Sequence, residues 1–232
     1  MSARRVLITR SEPGASETAE RLAAAGYTPI IEPVFTIEPV TAQIPDFDSL
    51  AFTSANGVRA FAKLSSRRDV PTFCVGARTA EAAREAGFIN VHSANADVEA
   101  LGVLINDKAS KGSHVLHVGN EEARGDLTGR LRSAGHSASF VAIFRAVPSR
   151  TPGPVLSRHL AGTAEFEAVL VHSPRAATIL AEFAAGSAAA FDVAAMSAAA
   201  VAPLAALAGR TEIAAHPDEQ SLLSALVRLV SG

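Results

Sequence analysis

"LAFTSANGVRAF", residues 50–61, decides the fold. An apolar run, Leu50-Ala51-Phe52, stops at two hydroxyls, Thr53 and Ser54. Asn56-Gly57 follows, and then a helical pattern. This reads as a strand running into a turn that opens a helix. "VLVHSPRAATIL", residues 169–180, repeats the pattern with Ser173 in the place of Ser54. Neither stretch has the Gly spacing of a dinucleotide loop, the Lys of a P-loop or a Gly-x-Ser-x-Gly nucleophile elbow.

Outward from these two stretches, short apolar runs alternate with Ala-rich helical patterns, which predicts an α/β chain with parallel sheets. "RVLITR" (5–10) and "YTPIIEPV" (27–34) read as strands around a helix, "ASETAERLAAAG", that ends at Gly26. "SHVLHVG" (113–119), "RGDLTGRLRSAG" and "HSASFVAIF" repeat that unit without a gap. Val6 falls on Val115, Leu22 on Leu131, Gly26 on Gly135, Phe35 on Phe144 and Pro39 on Pro148. A second kind of unit also occurs twice. Ser54 falls on Ser173, Gly76 on Ser197, Asp97 on Glu219 and Leu101 on Leu223. The order is therefore a, b, a′, b′, which points to duplication.

Each sheet needs one unit of each kind to reach five strands with both faces covered. Either a joins b, or a joins b′. The extended, Pro-bounded stretches "EPVFTIEPV" and "FVAIFRAVPS" occupy matching places and could run side by side as a two-stranded link. That favours the exchange: two flavodoxin-like parallel-sheet domains with a two-stranded β linker and a discontinuous first domain. The expected bounds are 1–36 with 149–232 for the first domain and 40–145 for the second, with linkers near 36–40 and 145–149.

Bulk properties remove several function classes. A formal net charge of −2 gathers no nucleic acid by bulk electrostatics. With no Trp and one Tyr, Tyr27, base-stacking platforms are not expected. No apolar run approaches the ~18 residues of a membrane span. "MSARRVLITR" turns straight into a strand, so no signal peptide is expected. The single Cys74, inside "TFCVG", excludes an internal disulfide and fits a reducing, cytoplasmic setting. A monomer is expected.

The chemistry, if any, belongs to the strand-to-helix turns: "TRSEPGASE", "TSANGV", "VGARTA", "GNEEARG" and "HSPRAA". A helix start leaves about four backbone N–H groups unpaired and carries roughly half a positive charge. Several such starts at the carboxyl ends of parallel strands would suit a ligand with many carboxylates or phosphates. Ser, Thr and Asn before a helix are also ordinary caps. Arg10, Arg78, Arg124 and Arg175 lie in such turns and could pair with anions. His114 and His117 point to opposite faces of a strand and make no metal pair. His172 beside Ser173 has no acid at triad spacing. No metal and no cofactor are expected.

"VLITR", "FTSANGV", "VGARTA" with a helix ending at Gly87, and "HSPRAA" together resemble the uroporphyrinogen-III synthase family over nearly the whole chain. The resemblance implies two α/β domains joined by a two-stranded ladder, the first built from both chain ends. It implies hydroxymethylbilane, a linear tetrapyrrole with eight carboxylates, as the substrate, and no cofactor. The product is uroporphyrinogen III. The terminal hydroxyl leaves as water to give an azafulvenium. Ring D attacks through its substituted carbon, and the spiro intermediate fragments and recloses with ring D inverted. Closure of the domains over the substrate is expected to accompany this. Unassisted closure gives the uninverted isomer, so the enzyme's task is to hold one attack geometry.

Carried over by position, the expected substrate-binding residues are Arg10, Ser54, Asn56, Gly57, Gly76, Thr79, Ser173, Arg175 and Ser197. Two positions depart from the family pattern. The linker Tyr proposed to assist hydroxyl loss is here Phe144, and the second "G..TA" motif reads "MSAAAV", with Ser197 for Gly and Ala200 for Thr. No catalytic residue is therefore assigned, and Ser197 is the candidate proton donor. These departures keep open a second reading, a non-catalytic two-domain binder of an anionic metabolite.

Overall fold

The computed structural model describes residues 4–123 and 125–231. In chain order the elements begin with β1 (Arg5–Ile8), α1 (Gly14–Ala24), β2 (Thr28–Ile31), β3 (Phe35–Pro39), β4 (Ser49–Phe52), α2 (Ala55–Leu64) and β5 (Thr72–Cys74). Then come α3 (Ala77–Glu85), β6 (Val91–Ser93), α4 (Val98–Lys108), β7 (His114–Asn120), α5 (Leu127–Ser133) and β8 (Ser137–Pro148). The chain ends with α6 (Pro154–Leu160), β9 (Ala168–Val171), α7 (Pro174–Ala184), β10 (Phe191–Ala195), α8 (Ala198–Val201), a 3-10 turn (Ala202–Leu204), β11 (Ala208–Ile213) and α9 (Glu219–Ser231). Two compact units result: Met1–Ile37 with Val147–Gly232, and Glu38–Ala146. The first contains both chain ends, as the matching connectors indicate.

The first unit holds a five-stranded sheet in the order β11-β10-β9-β1-β2, parallel throughout. A strand sends alternate side chains to opposite faces, and β1 does so. Leu7 packs with Val169, Val171 and Val193 on one face, while Val6 and Ile8 pack with Leu22, Leu222 and Leu226 on the other. Helices cover both faces, which is why the strands read as continuous apolar runs rather than alternating ones.

The other sheet has six strands in the order β3-β8-β7-β4-β5-β6: five that belong mainly to the second unit and, at one edge, β3, whose pairing with β8 is the two-stranded link that the connectors predict. β4 to β8 are parallel. β3 adds to β8 at one edge in the opposite direction: the Val40 amide donates to the Ile143 carbonyl and the Ser149 amide to that of Val34. On one face Ala51, Phe73, Leu101, Val115 and Leu131 form the core. On the other, Phe61 packs against Phe47, Phe52 and Phe88, with ring centroids 5.8–6.4 Å away.

The helix stops lie where the sequence places them. Gly26, Gly87 and Gly135 take φ of +85°, +89° and +90°, the left-handed conformation that ends a helix. Two details of the duplication differ from the expected register. Asp97 caps α4 by accepting the Ala100 amide, and its counterpart is Asp218, which accepts the Ser221 amide, not Glu219. The fully buried Leu101 correspondingly matches Leu222, not Leu223. The shift of one residue arises because "DE" offers two carboxylates and only the first reaches the cap. The counterpart of α3 is also shorter: α8 is a single turn before the chain tightens into the 3-10 turn. Pro203 causes this, since it has no N–H to continue the helix.

Candidate functional site

In a parallel sheet the turns at the carboxyl ends of the strands share one edge. In the first unit the adjacent strands β10, β9 and β1 bring Ser197, Ser173 and Arg10 to that edge. In the second, the adjacent strands β4 and β5 bring Ser54, Asn56 and Gly57 alongside Gly76 and Thr79. Each unit thus gathers its own share of the predicted residues. Arg124 lies outside the described residues.

The individual roles are more varied than the sequence indicates. Ser54 and Ser173 are working caps: their hydroxyls accept the Gly57 amide at 3.1 Å and the Ala176 amide at 3.2 Å. A capping hydroxyl accepts with its oxygen and keeps its own hydrogen to donate. Gly57 is tightly packed: a Cβ there would lie 3.3 Å from the Val118 carbonyl oxygen on β7. Gly76 is different. Its backbone is extended and a Cβ would meet nothing within 4 Å, so open space lies in front of that helix start. Ser197, its counterpart, is also extended and makes no side-chain cap, leaving the first amides of α8 uncapped by side chains. Thr79, third in α3, is buried, as is Ala200 in α8.

Both arginines have partners within the protein. Arg10 donates to Glu219 at 2.9 Å and to Thr18 at 3.3 Å. Arg175 lies over the Phe35 ring, 4.7 Å from its centroid. Glu219 was not singled out from the sequence, yet its carboxylate is the meeting point of Arg10, Thr18 and the His172 imidazole. Burial pushes this carboxyl up, but His172, Thr18 and Arg10 together outweigh it and hold the pKa at about 2. No sequence spacing signals a contact among positions 10, 18, 172 and 219.

In the second unit His117 is buried, with Nε2 3.4 Å from the Thr53 hydroxyl and its ring 4.9 Å from Phe140. Burial lowers its pKa to about 4, so it is neutral at pH 7. Cys74 is driven the other way: burial raises its thiol to about 12 against a small opposing effect of Arg84. It is inert as a nucleophile. Phe144 is buried beside an irregularity in β8, where its carbonyl accepts the Glu121 amide at 2.8 Å. Among the described residues no cluster of His, Cys, Asp and Glu could hold a metal ion, and no helix is long and apolar enough to cross a membrane.

The family model of uroporphyrinogen-III synthase HemD matches residues 16–224. The chain belongs to the uroporphyrinogen-III synthase family. That activity is a lyase reaction of tetrapyrrole and heme biosynthesis. Two solved synthases share the fold. The Helicobacter pylori enzyme aligns with a TM-score of 0.61 and 14% identity, covering 97% of this chain and 99% of its own. A mutant of the Thermus thermophilus enzyme aligns with a TM-score of 0.54 and 16% identity, covering 99% of each chain. No curated protein matches the chain.

Proposed function

We propose that this chain converts hydroxymethylbilane to uroporphyrinogen III, with inversion of ring D and loss of water. The observation that carries the reading is the family match over residues 16–224. The helix starts add a physical reason. The substrate has eight carboxylates, and uncapped backbone N–H groups at the ends of parallel strands suit them without any fixed acid–base pair. Gly76, Thr79 and Ser197 are the best placed for this, with the Ser54 and Ser173 hydroxyls as further donors. Arg10 and Arg175 act, in this reading, through the residues they already touch. The enzyme works in the cytoplasm as a monomer, without a cofactor and without nucleic acid. The deciding experiment supplies enzymatically generated hydroxymethylbilane and identifies the isomer formed. Uroporphyrinogen III supports the reading; only the uninverted isomer, with tight tetrapyrrole binding, would favour the non-catalytic binder.

Thr79→Ala is expected to weaken tetrapyrrole binding by about 1.5–3 kcal/mol, the cost of one hydrogen bond to a charged group. The melting temperature is the control, since Thr79 is buried and alanine removes its γ-methyl together with the hydroxyl; affinity should fall by more than the lost stability explains. Titration of product onto wild type and variant measures this. Equal affinity with a lower melting temperature would reduce Thr79 to a structural role.

Phe144→Tyr tests the missing phenol. Pyrrole rings expel the hydroxyl themselves, so an acid is worth at most ~10²–10⁴-fold. The buried setting of Phe144 leaves a new hydroxyl in need of a partner. The wild type should form the inverted isomer, and the variant should match its rate or gain within that range. If only Phe144→Tyr makes the inverted isomer, the phenol is essential.

A further inference from the structure

Glu219 is an unusual residue to bury. The capping position of α9 is already filled by Asp218, so the helix does not need a second carboxylate. Its side chain is only 11% exposed. A buried ion cluster is commonly no better for stability than apolar residues of the same volume. Its three partners come from three separate elements. Arg10 follows β1, Thr18 is on α1, and His172 follows β9 directly before Ser173. β1 and β9 are neighbours in the sheet. The carboxylate therefore ties together the carboxyl ends of the two strands whose turns face the same edge.

A second observation bears on how Arg10 reaches Glu219. A Cβ on Gly14 would lie 2.5 Å from Nη2 and 2.6 Å from Cζ of Arg10. Gly14 opens α1 and its φ is not in the left-handed range, so the backbone does not demand glycine there. What the missing Cβ provides is room for the guanidinium to lie against the helix start and reach Glu219.

We infer that Glu219 is a positioning residue for the proposed reaction: with Arg10 seated over Gly14, it fixes the turns after β1 and β9 in the geometry that receives substrate carboxylates. The inference rests on the proposed function. Glu219 itself touches no substrate in this account. Carboxylate binding is used equally in ground and transition states, so loosening these turns raises KM and leaves kcat nearly unchanged.

The test measures KM, kcat and melting temperature for the wild type, Gly14→Ala and Glu219→Gln with hydroxymethylbilane. Gly14→Ala is the sharper variant, because alanine favours a helix while its methyl displaces Arg10 without altering any charge. Both variants should raise KM by about ten- to a hundredfold, with kcat within about threefold of wild type. Gly14→Ala should keep the wild-type melting temperature to within a few degrees. If Glu219→Gln does not fold, Gly14→Ala decides alone. A KM within about twofold of wild type in Gly14→Ala overturns the inference. So does a KM that rises only in step with a falling melting temperature. A wild type that forms uroporphyrinogen III while the variants keep its KM sinks this inference alone; a wild type that forms only the uninverted isomer sinks the proposed function and this inference with it.

Discussion

Phe61→Ala is expected to cost about 3–5 kcal/mol, the range for truncating a buried aromatic. Phe61 has no exposed surface and sits at the centre of a ring cluster with Phe47, Phe52 and Phe88. Edge-on contacts with Phe47 and Phe52, at interplanar angles of 74° and 65°, add to the area term. Nothing nearby can close the gap cheaply. Phe52 is the last residue of β4, and Phe61 lies on α2 directly after the Ser54 turn. The loss therefore falls on the elements that hold Ser54, Asn56 and Gly57 in place. Chemical denaturation should show an unfolding free energy lower by that amount, with the tetrapyrrole affinity of the folded variant also reduced. A loss below ~1 kcal/mol would mean that the ring cluster repacks and does not support the turn.

The sequence discloses the fold wherever one residue type has one physical use. Gly26, Gly87 and Gly135 end helices because left-handed backbone favours glycine, and Gly26 and Gly135 hold matching places in the repeat. Ser54 and Ser173 mark helix starts because a short hydroxyl reaches the third amide beyond it. Even the discontinuous first unit is legible, since matching connectors limit the pairing to two choices. Legibility ends where two uses compete. "PDEQ" contains two adjacent carboxylates, and only the fold separates Asp218, the cap, from Glu219, the anchor. The glycines of the turns divide in the same way: Gly57 packs closely against a backbone oxygen of β7, while Gly76 has open space before it. Arginines in turns look like free cations until their partners are in place. Arg10 finds one more than 200 residues away in sequence, at Glu219. Contacts of that kind are set by strand order, which local pattern does not encode.

Acid should lower the stability of this protein in two pH windows, the first set by His117. Its imidazole lies near pH 4 in the folded protein against an ordinary value of 6.5, because burial disfavours the charged form. The unfolded chain therefore binds the proton more readily. The stability contributed is complete above pH 6.5 and is lost as pH falls from 6.5 towards 4. At ~1.4 kcal/mol per unit this amounts to about 3 kcal/mol, most of it gone by pH 4.5. Glu219 follows in a lower window. Its folded value of about 2 lies below an ordinary 4.5, so its contribution is present above pH 4.5 and lost as pH falls towards 2. His117→Gln isolates the first window: glutamine can still reach the Thr53 hydroxyl but takes up no proton. Urea denaturation at pH 7.5, 5.5 and 4.5 should show the wild type losing about 2–3 kcal/mol more than the variant across that range. Carboxylates and the other histidines are common to both proteins and cancel. Parallel losses would show that His117 is protonated without penalty, and that the space around it admits water. The turn should feel the same titration. Thr53 precedes the Ser54 cap, and a charged imidazole cannot stay in an apolar pocket against Phe140. Tetrapyrrole binding by the wild type should thus weaken below pH 6.5 more steeply than in His117→Gln, even where both proteins remain folded.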